Sequence, residues 1–362
     1  MCNTYNTIGS LTTLKLHLER NNINEFRSLK EVIDFQHSYA THRQQVIAHH
    51  KTKVEQERDM LNTNLQELDT AIEMQRLSTE TMLITEIDNL KQQLSISMAN
   101  TWANYFRKLV KSVREWNWKR KIRDKERRFD AEVNRSIADL VDVRCDKNSR
   151  HQFIVSQFDD AVQQSAQHYL WQLENKKAII EGLSNYIYGA LGEQQVVKTL
   201  EALSDEFFLI NDFALSFSTP IYNRQENDYI YSIQIDHILV APSGIFLIET
   251  KNWSERSLEN LSLRSPVQQV KRTSFALFRL LNNEVSNHSL QLNRHHWGDK
   301  KISIKNLIVL TNTRPKEEFQ YVKVLTLNEL LGYVNYFKPV FSTIETQRIA
   351  DYLIYLNRQK RL

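Results

Sequence analysis

Residues 234–253 read QIDHILVAPSGIFLIETKNW. Two apolar runs flank Ala241-Pro242-Ser243-Gly244, and proline followed by glycine is turn chemistry. The stretch predicts a β-hairpin with strands over 229–240 and 245–251, both rich in β-branched and aromatic residues. With 241–244 as the hairpin loop, Val240 pairs with Ile245 and Ile238 with Leu247 on one face. Continued along that face, the register sets Asp236 opposite Glu249. Side chains so paired have Cβ atoms about 4.5–5.5 Å apart, and like charges there repel. A slip of one residue would send the two acids to opposite faces.

Two carboxylates forced together beside an apolar layer demand positive charge. Lys251, two residues past Glu249 and on the same face, supplies one. A hard divalent cation bound by carboxylate oxygens would supply more. Two acids, a metal and an ammonium are the parts of phosphodiester hydrolysis: the metal polarises the phosphate and acidifies a water, and the lysine orients that water or steadies developing negative charge. A structural Asp–Glu–Lys salt-bridge cluster satisfies the same local pattern. His237 follows Asp236 and is expected on the other side of the strand as a packed residue.

Outward from the hairpin, the chain divides by composition. All five prolines lie in its last 143 residues, and between Gly9 and Gly182 there is neither glycine nor proline. These residues break helices, so residues 10–180 are expected to be long helices. Leu61, Leu65, Leu68 and Ile72, then Leu83, Ile87, Leu90 and Leu94, repeat at the 3/4 spacing of a coiled coil or helical hairpin. The eleven-residue step from Ile72 to Leu83 breaks the heptad, so one uninterrupted coil is not dictated. The organisation expected is an elongated helical, coiled-coil region over 1–180 and an α/β domain over 181–362. The helical region would serve self-association as a homodimer, or partner binding.

Residues 107–128 hold 11 Lys/Arg against 3 acids, with Trp116 and Trp118 inside the run. Arg107, Lys108, Lys111, Arg114, Lys119, Arg120, Lys121 and Arg123 could track a phosphate backbone while the tryptophans stack on bases. A solvated helix face with both tryptophans packed on a neighbouring helix explains the same run. His49-His50 and His295-His296 lack a helical i, i+4 partner set and are expected at the surface.

After Gly182, residues 189–203 read as a short helix, with Glu193 towards its apolar face. A strand with an irregular continuation follows at 207–217, before the hairpin. Beyond the hairpin come a helix at 266–283 with Pro266 in its first turn and a strand at 302–311. Thr326 with Glu329 and Ser342 with Glu345 form capping boxes opening two last helices. This order is that of a mixed sheet with helices packed on it.

Four segments in this order, GALGE (189–193), QIDHILV (234–240), GIFLIETKNW (244–253) and SPVQQ (265–269), resemble the nuclease-related domain, a family of the PD-(D/E)XK restriction-endonuclease-like superfamily. The likeness covers roughly residues 182–335. It implies an αβα core with a mixed central sheet and a Mg²⁺- or Mn²⁺-dependent DNA endonuclease site. By position, Asp236 and Glu249 would hold the metal and Lys251 would be the catalytic lysine. Glu193 would be the acid of the first core helix, and Gln269 the glutamine of the helix after the sheet. Two departures stand out: Ser254-Glu255-Arg256 where a glycine often follows KNW, and Ser265-Pro266 where the family has Asn-Pro. Both concern loop shape or helix start rather than the acids. Defence against foreign DNA or DNA repair would suit this architecture by analogy. A scaffold whose nuclease-like domain binds nucleic acid without cutting it is the competing expectation.

The sequence carries no P-loop, no G-x-S-x-G elbow and no H-E-x-x-H pair, which excludes those chemistries as readable motifs. Cys2 and Cys145 give neither a zinc quartet nor a disulfide framework, and a reducing cytoplasm is expected. No apolar run is long enough to span a bilayer, and the first residues lack the layout of a signal peptide.

Overall fold

A computed structural model describes residues 1–99, 105–253, 263–286, 290, 292, 300–312 and 318–360, with the backbone alone at 105–108. Two compact units result: Met1–Ser38 with Asn175–Leu362, and Tyr39–Glu174. The first 38 residues therefore join the α/β unit rather than the helical one.

That unit is built on a six-stranded sheet in the order β1 to β6. The strands are β1 (Asn3–Tyr5), β2 (Phe208–Asn223), β3 (Asp228–Ala241), β4 (Gly244–Lys251), β5 (Ile304–Leu310) and β6 (Lys323–Thr326). β2, β3 and β4 are antiparallel, while β1, β5 and β6 join in parallel fashion, so the sheet is mixed as expected. β1 and β6 escaped the sequence reading because three and four residues are too few to show a period of two.

The apolar run at 245–248 fails to alternate because β4 is covered on both faces. Ile245 and Leu247 pack with Val267, Val270, Leu277, Ile349 and Leu353. These come from α6 (Arg264–Ser286) and α8 (Thr343–Gln359). Phe246 and Ile248 pack instead with Val196, Leu200, Leu330 and Val334, from α5 (Ser184–Leu200) and α7 (Leu327–Asn335). The result is an αβα sandwich. Pro266 sits in the first turn of α6, and both capping boxes form, at Thr326 and Ser342. α1 (Gly9–Arg20) packs on α5.

Within the second unit, α2 (Leu29–Ala99) faces α3 (Tyr105–Ser156) and the start of α4 (Phe158–Gly182). The pairs Glu57–Arg150, Asp69–Arg144 and Glu86–Lys125 run in opposite directions along the two helices, so the packing is antiparallel. α2 stays helical from Ile72 to Leu83, because eleven residues make three whole turns. Leu83 and Ile87 are buried, and Leu61, Leu65, Leu68, Ile72, Leu90 and Leu94 are half-buried. The leucine seam is thus filled within the chain. His50 is not at the surface. It is 4% exposed, and its Nδ1 lies 2.8 Å from Ser165 Oγ of α4, which folds back over it. His295-His296 and Ser254-Glu255-Arg256 lie outside the described residues. No helix among the described residues is long and apolar enough to cross a membrane.

Candidate active site

The hairpin register is the one read from the sequence: Ala241 pairs with Gly244, Ile238 with Leu247 and His237 with Ile248. The ladder stops one row before Asp236 and Glu249. There the Thr250 N–H, instead of extending the ladder to β3, donates to Asp236 Oδ2 at 2.7 Å. The cause lies on both strands. Strict alternation would send Phe213 and Ile235 to the layer opposite Ile210 and Ile238, yet all four lie in one core cluster. Both strands swivel at the Asp212/Asp236 row, and Asp212 takes a left-handed φ of 47° there. Irregularity of this kind re-aims side chains beside functional sites.

Around this row the separate segments converge. Glu249 is 2% exposed; its Oε1 accepts from Lys251 Nζ at 2.7 Å and its Oε2 from Gln269 Nε2 at 3.2 Å. Gln269 projects from the first turns of α6, which is why a helix after the sheet can reach an acid on β4. Glu193, 5% exposed on α5, raises the pKa of Glu249, and its own is raised by burial first and Asp236 second. Asp212 adds a further negative charge, felt by both Glu193 and Asp236.

The glycines of GALGE make room for this convergence. A Cβ at Gly192 would stand 2.9 Å from Asn252 Cβ and 3.2 Å from Thr250 Cγ2, so only glycine lets α5 approach the exit of β4 so closely. Asn252 fastens that exit. Its Nδ2 donates to Tyr188 O at 2.8 Å, and its Oδ1 accepts from Thr311 Oγ1 at 2.6 Å.

The electrostatics follow from three acids sharing one ammonium in a low-dielectric setting. Burial first, and Glu249 second, push Asp236 up to about 7, against the opposing pull of Lys251 and the Thr250 N–H. Burial and then Asp236 push Glu193 up to about 7, against the hydrogen bonds from Ser10. Glu249 is also raised, by burial above all. For Lys251, burial opposes the charge, but Glu249 and Asp236 outweigh it and the ammonium is held above its usual value. Lys251 is therefore a cation at neutral pH and no proton acceptor.

The donor set is one of hard oxygens with surplus negative charge, which fits a hard divalent cation. Among the described residues, no three His, Cys, Asp or Glu side chains already converge as a finished metal cage.

His237 is fully buried, as expected of a packed residue. Its Nδ1 lies 2.8 Å from Asn211 Oδ1, and burial lowers its pKa to about 3. Ser10 and Asp212 escaped the sequence reading. Asn211-Asp212 interrupting an apolar strand was the available signal for Asp212, since this is turn chemistry in the middle of a strand. Nothing local marked Ser10.

The basic run on α3 is divided between the two expectations. Trp118 is half-buried, whereas Trp116 is 56% exposed with the Arg120 guanidinium 5.8 Å from its ring centroid. Arg114, Lys119, Arg120, Lys121 and Arg123 are exposed, and Lys111 is half-buried beside Glu115. The side chains of Arg107 and Lys108 lie outside the described residues.

The family model described as nuclease-related domain matches residues 188–311, a span containing Glu193, Asp236, Glu249, Lys251 and Gln269. A search of curated proteins finds no match. A search of solved structures finds none either. Residues 188–311 are similar to the nuclease-related domain, and the acids that meet at the exit of β4 lie within that span.

Proposed function

We propose that this domain hydrolyses phosphodiester bonds in DNA as an endonuclease, using Mg²⁺ or Mn²⁺ held by Asp236 and Glu249. The observation that supports this best is the meeting of Asp236, Glu249, Lys251 and Gln269 from two strands and a helix, inside the family match. Such a cation supplies Lewis-acid polarisation of a phosphate oxygen and a more acidic water.

The protein's own groups do the rest. Thr250 N–H holds one oxygen of Asp236, and Lys251 with Gln269 hold the two oxygens of Glu249, so both carboxylates are oriented by their neighbours. Lys251, cationic and a quarter exposed at its side chain, is placed to steady negative charge building on the phosphate. Glu193, pushed to about 7, can exchange a proton near neutrality. The exposed cations of α3 would bind backbone phosphates, with Trp116 available for stacking. Self-association through the helical unit would use its outer surface, because the leucine seam is already occupied.

One observation favours a domain that binds nucleic acid without cutting: Lys251 already engages Glu249. Plasmid DNA incubated with Mg²⁺, with and without EDTA, separates the two. Cleavage should occur with the native protein and disappear with EDTA, Asp236→Asn or Lys251→Ala. If all the samples behave alike, the nuclease reading fails. Offering RNA alongside sorts the substrate.

A further inference from the structure

Glu193 is held from outside the family match. α1 begins at Gly9, and the residue before it, Ile8, offers no side-chain cap to the helix's first amides. Such amides need partners. The Ser10 N–H finds one in Glu193 Oε2 at 3.4 Å, and Ser10 Oγ donates to Glu193 Oε1. Glu193 is thus the cap that α1 lacks, supplied by another helix. A carboxylate is favoured there because the amide dipoles of α1 present positive charge.

The approach is built on both sides. A Cβ at Gly189 would stand 2.9 Å from Ser10 Oγ, and a Cβ at Gly9 would stand 2.8 Å from Asp212 Oδ1. β1 sets the starting point, since its parallel pairing with β2 ends on Tyr5 and Ile210, two residues before Asp212. Asn6 then exchanges hydrogen bonds with Asn211: its Nδ2 donates to Asn211 O at 3.4 Å, and Asn211 Nδ2 donates to Asn6 O at 3.1 Å. Strand, crossing and helix start are therefore fixed to the row that carries the acids.

We infer that Ser10 is a positioning residue of the active site: with the first turn of α1, it orients the Glu193 carboxylate towards the cation-binding acids. The N-terminal strand and helix are on this account a working part of the centre, although they lie about 180 residues before the family match. The inference rests on the proposed hydrolysis.

The test is a double-mutant cycle with Ser10→Ala and Glu193→Gln, and Ser10→Thr as the conservative variant. Two quantities are followed: the kcat and KM for Mg²⁺-dependent cleavage, and the Kd for Mn²⁺ by calorimetry without DNA. Loss of an outer hydrogen bond to a metal site costs ~10–100-fold in activity or metal affinity. Ser10→Ala should therefore lose about tenfold or more in kcat with KM for DNA unchanged, and should weaken Mn²⁺ binding. Ser10→Thr should restore both. In the Glu193→Gln background, Ser10→Ala should add nothing, since it acts through Glu193. Native-like kcat and Mn²⁺ affinity in Ser10→Ala, or losses that add in full to those of Glu193→Gln, would overturn the inference. Absence of both cleavage and Mn²⁺ binding in the native protein would overturn the proposed function, and this inference with it.

Discussion

Replacing Lys251 with methionine keeps most of the side-chain volume and removes an ammonium that Glu249 and Asp236 share. Lys251 Nζ lies 2.7 Å from Glu249 Oε1, with the two side chains 24% and 3% exposed. Breaking a buried pair by removing one partner costs about 3–5 kcal/mol. The partial exposure of Lys251 places the expectation at the lower end, about 3 kcal/mol near pH 8 in EDTA. The loss should depend on pH in one direction. Asp236 has its folded-state value raised from 3.8 to about 7. Between those values the folded state binds more protons than the unfolded one, so stability falls as pH rises through the window. Without Lys251 the acids resist ionisation more, and the fall steepens. Near pH 5 Asp236 is largely protonated, the ammonium has less charge to neutralise, and the loss should be smaller than near pH 8. Urea unfolding at the two pH values, with hydrogen exchange of the β4 amides identifying the unit that responds, measures this. A loss equal at both pH values, or under about 0.5 kcal/mol near pH 8, would refute the shared-ammonium account.

Asp236→Asn keeps an acceptor for the Thr250 N–H and removes a charge held at a raised pKa. It should gain roughly 1–3 kcal/mol in metal-free buffer near pH 8 while abolishing cleavage; calorimetric melts beside the plasmid assay would expose a variant that loses both. Gly244 has φ 126°, and an added Cβ would meet Ser303 O at 2.7 Å. Gly244→Ala should therefore cost about 1–3 kcal/mol or more, and a neutral result in urea unfolding would count against the tight turn. Reversing the charge of Lys119, Arg120 and Lys121 together should weaken DNA binding and flatten its salt dependence, as seen in fluorescence anisotropy across a salt series; an unchanged slope would make that face of α3 a solvated surface only. Light scattering should return a single-chain mass if the filled leucine seam is the helical unit's main apolar contact, and a dimer mass if its outer surface self-associates.

The Asp236/Glu249 row was legible because a tight hairpin converts sequence into distance. Once Pro242 and Gly244 fixed the turn, Glu249 had to lie across from Asp236, and burial of both faces of β4 explained the unbroken apolar run. Glu193 and Gln269 were legible only through the family likeness, since a helix acid and a helix glutamine carry no local sign of what they face. The N-terminal strand and α1 read as the beginning of the helical region because α1 is followed by long glycine-free helices and lacks a capping side chain of its own. That missing cap is the trace of its partner, Glu193, but the partner lies 183 residues away. The swivel at Asp212 was visible as a polar pair inside an apolar strand, although not its consequence for Asp236. His50 was misplaced because its burial depends on α4 returning along α2, a tertiary event that spacing around His49-His50 does not report.

Calorimetric titration of Mn²⁺ into the metal-free native protein, beside Asp236→Asn and Glu249→Gln, tests the central claim most directly. The account predicts saturable binding by the native chain that both substitutions weaken by tenfold or more. Failure of the native protein to bind, or binding that survives both substitutions unchanged, would show that Asp236 and Glu249 form a salt-bridge cluster with Lys251 and not a metal site.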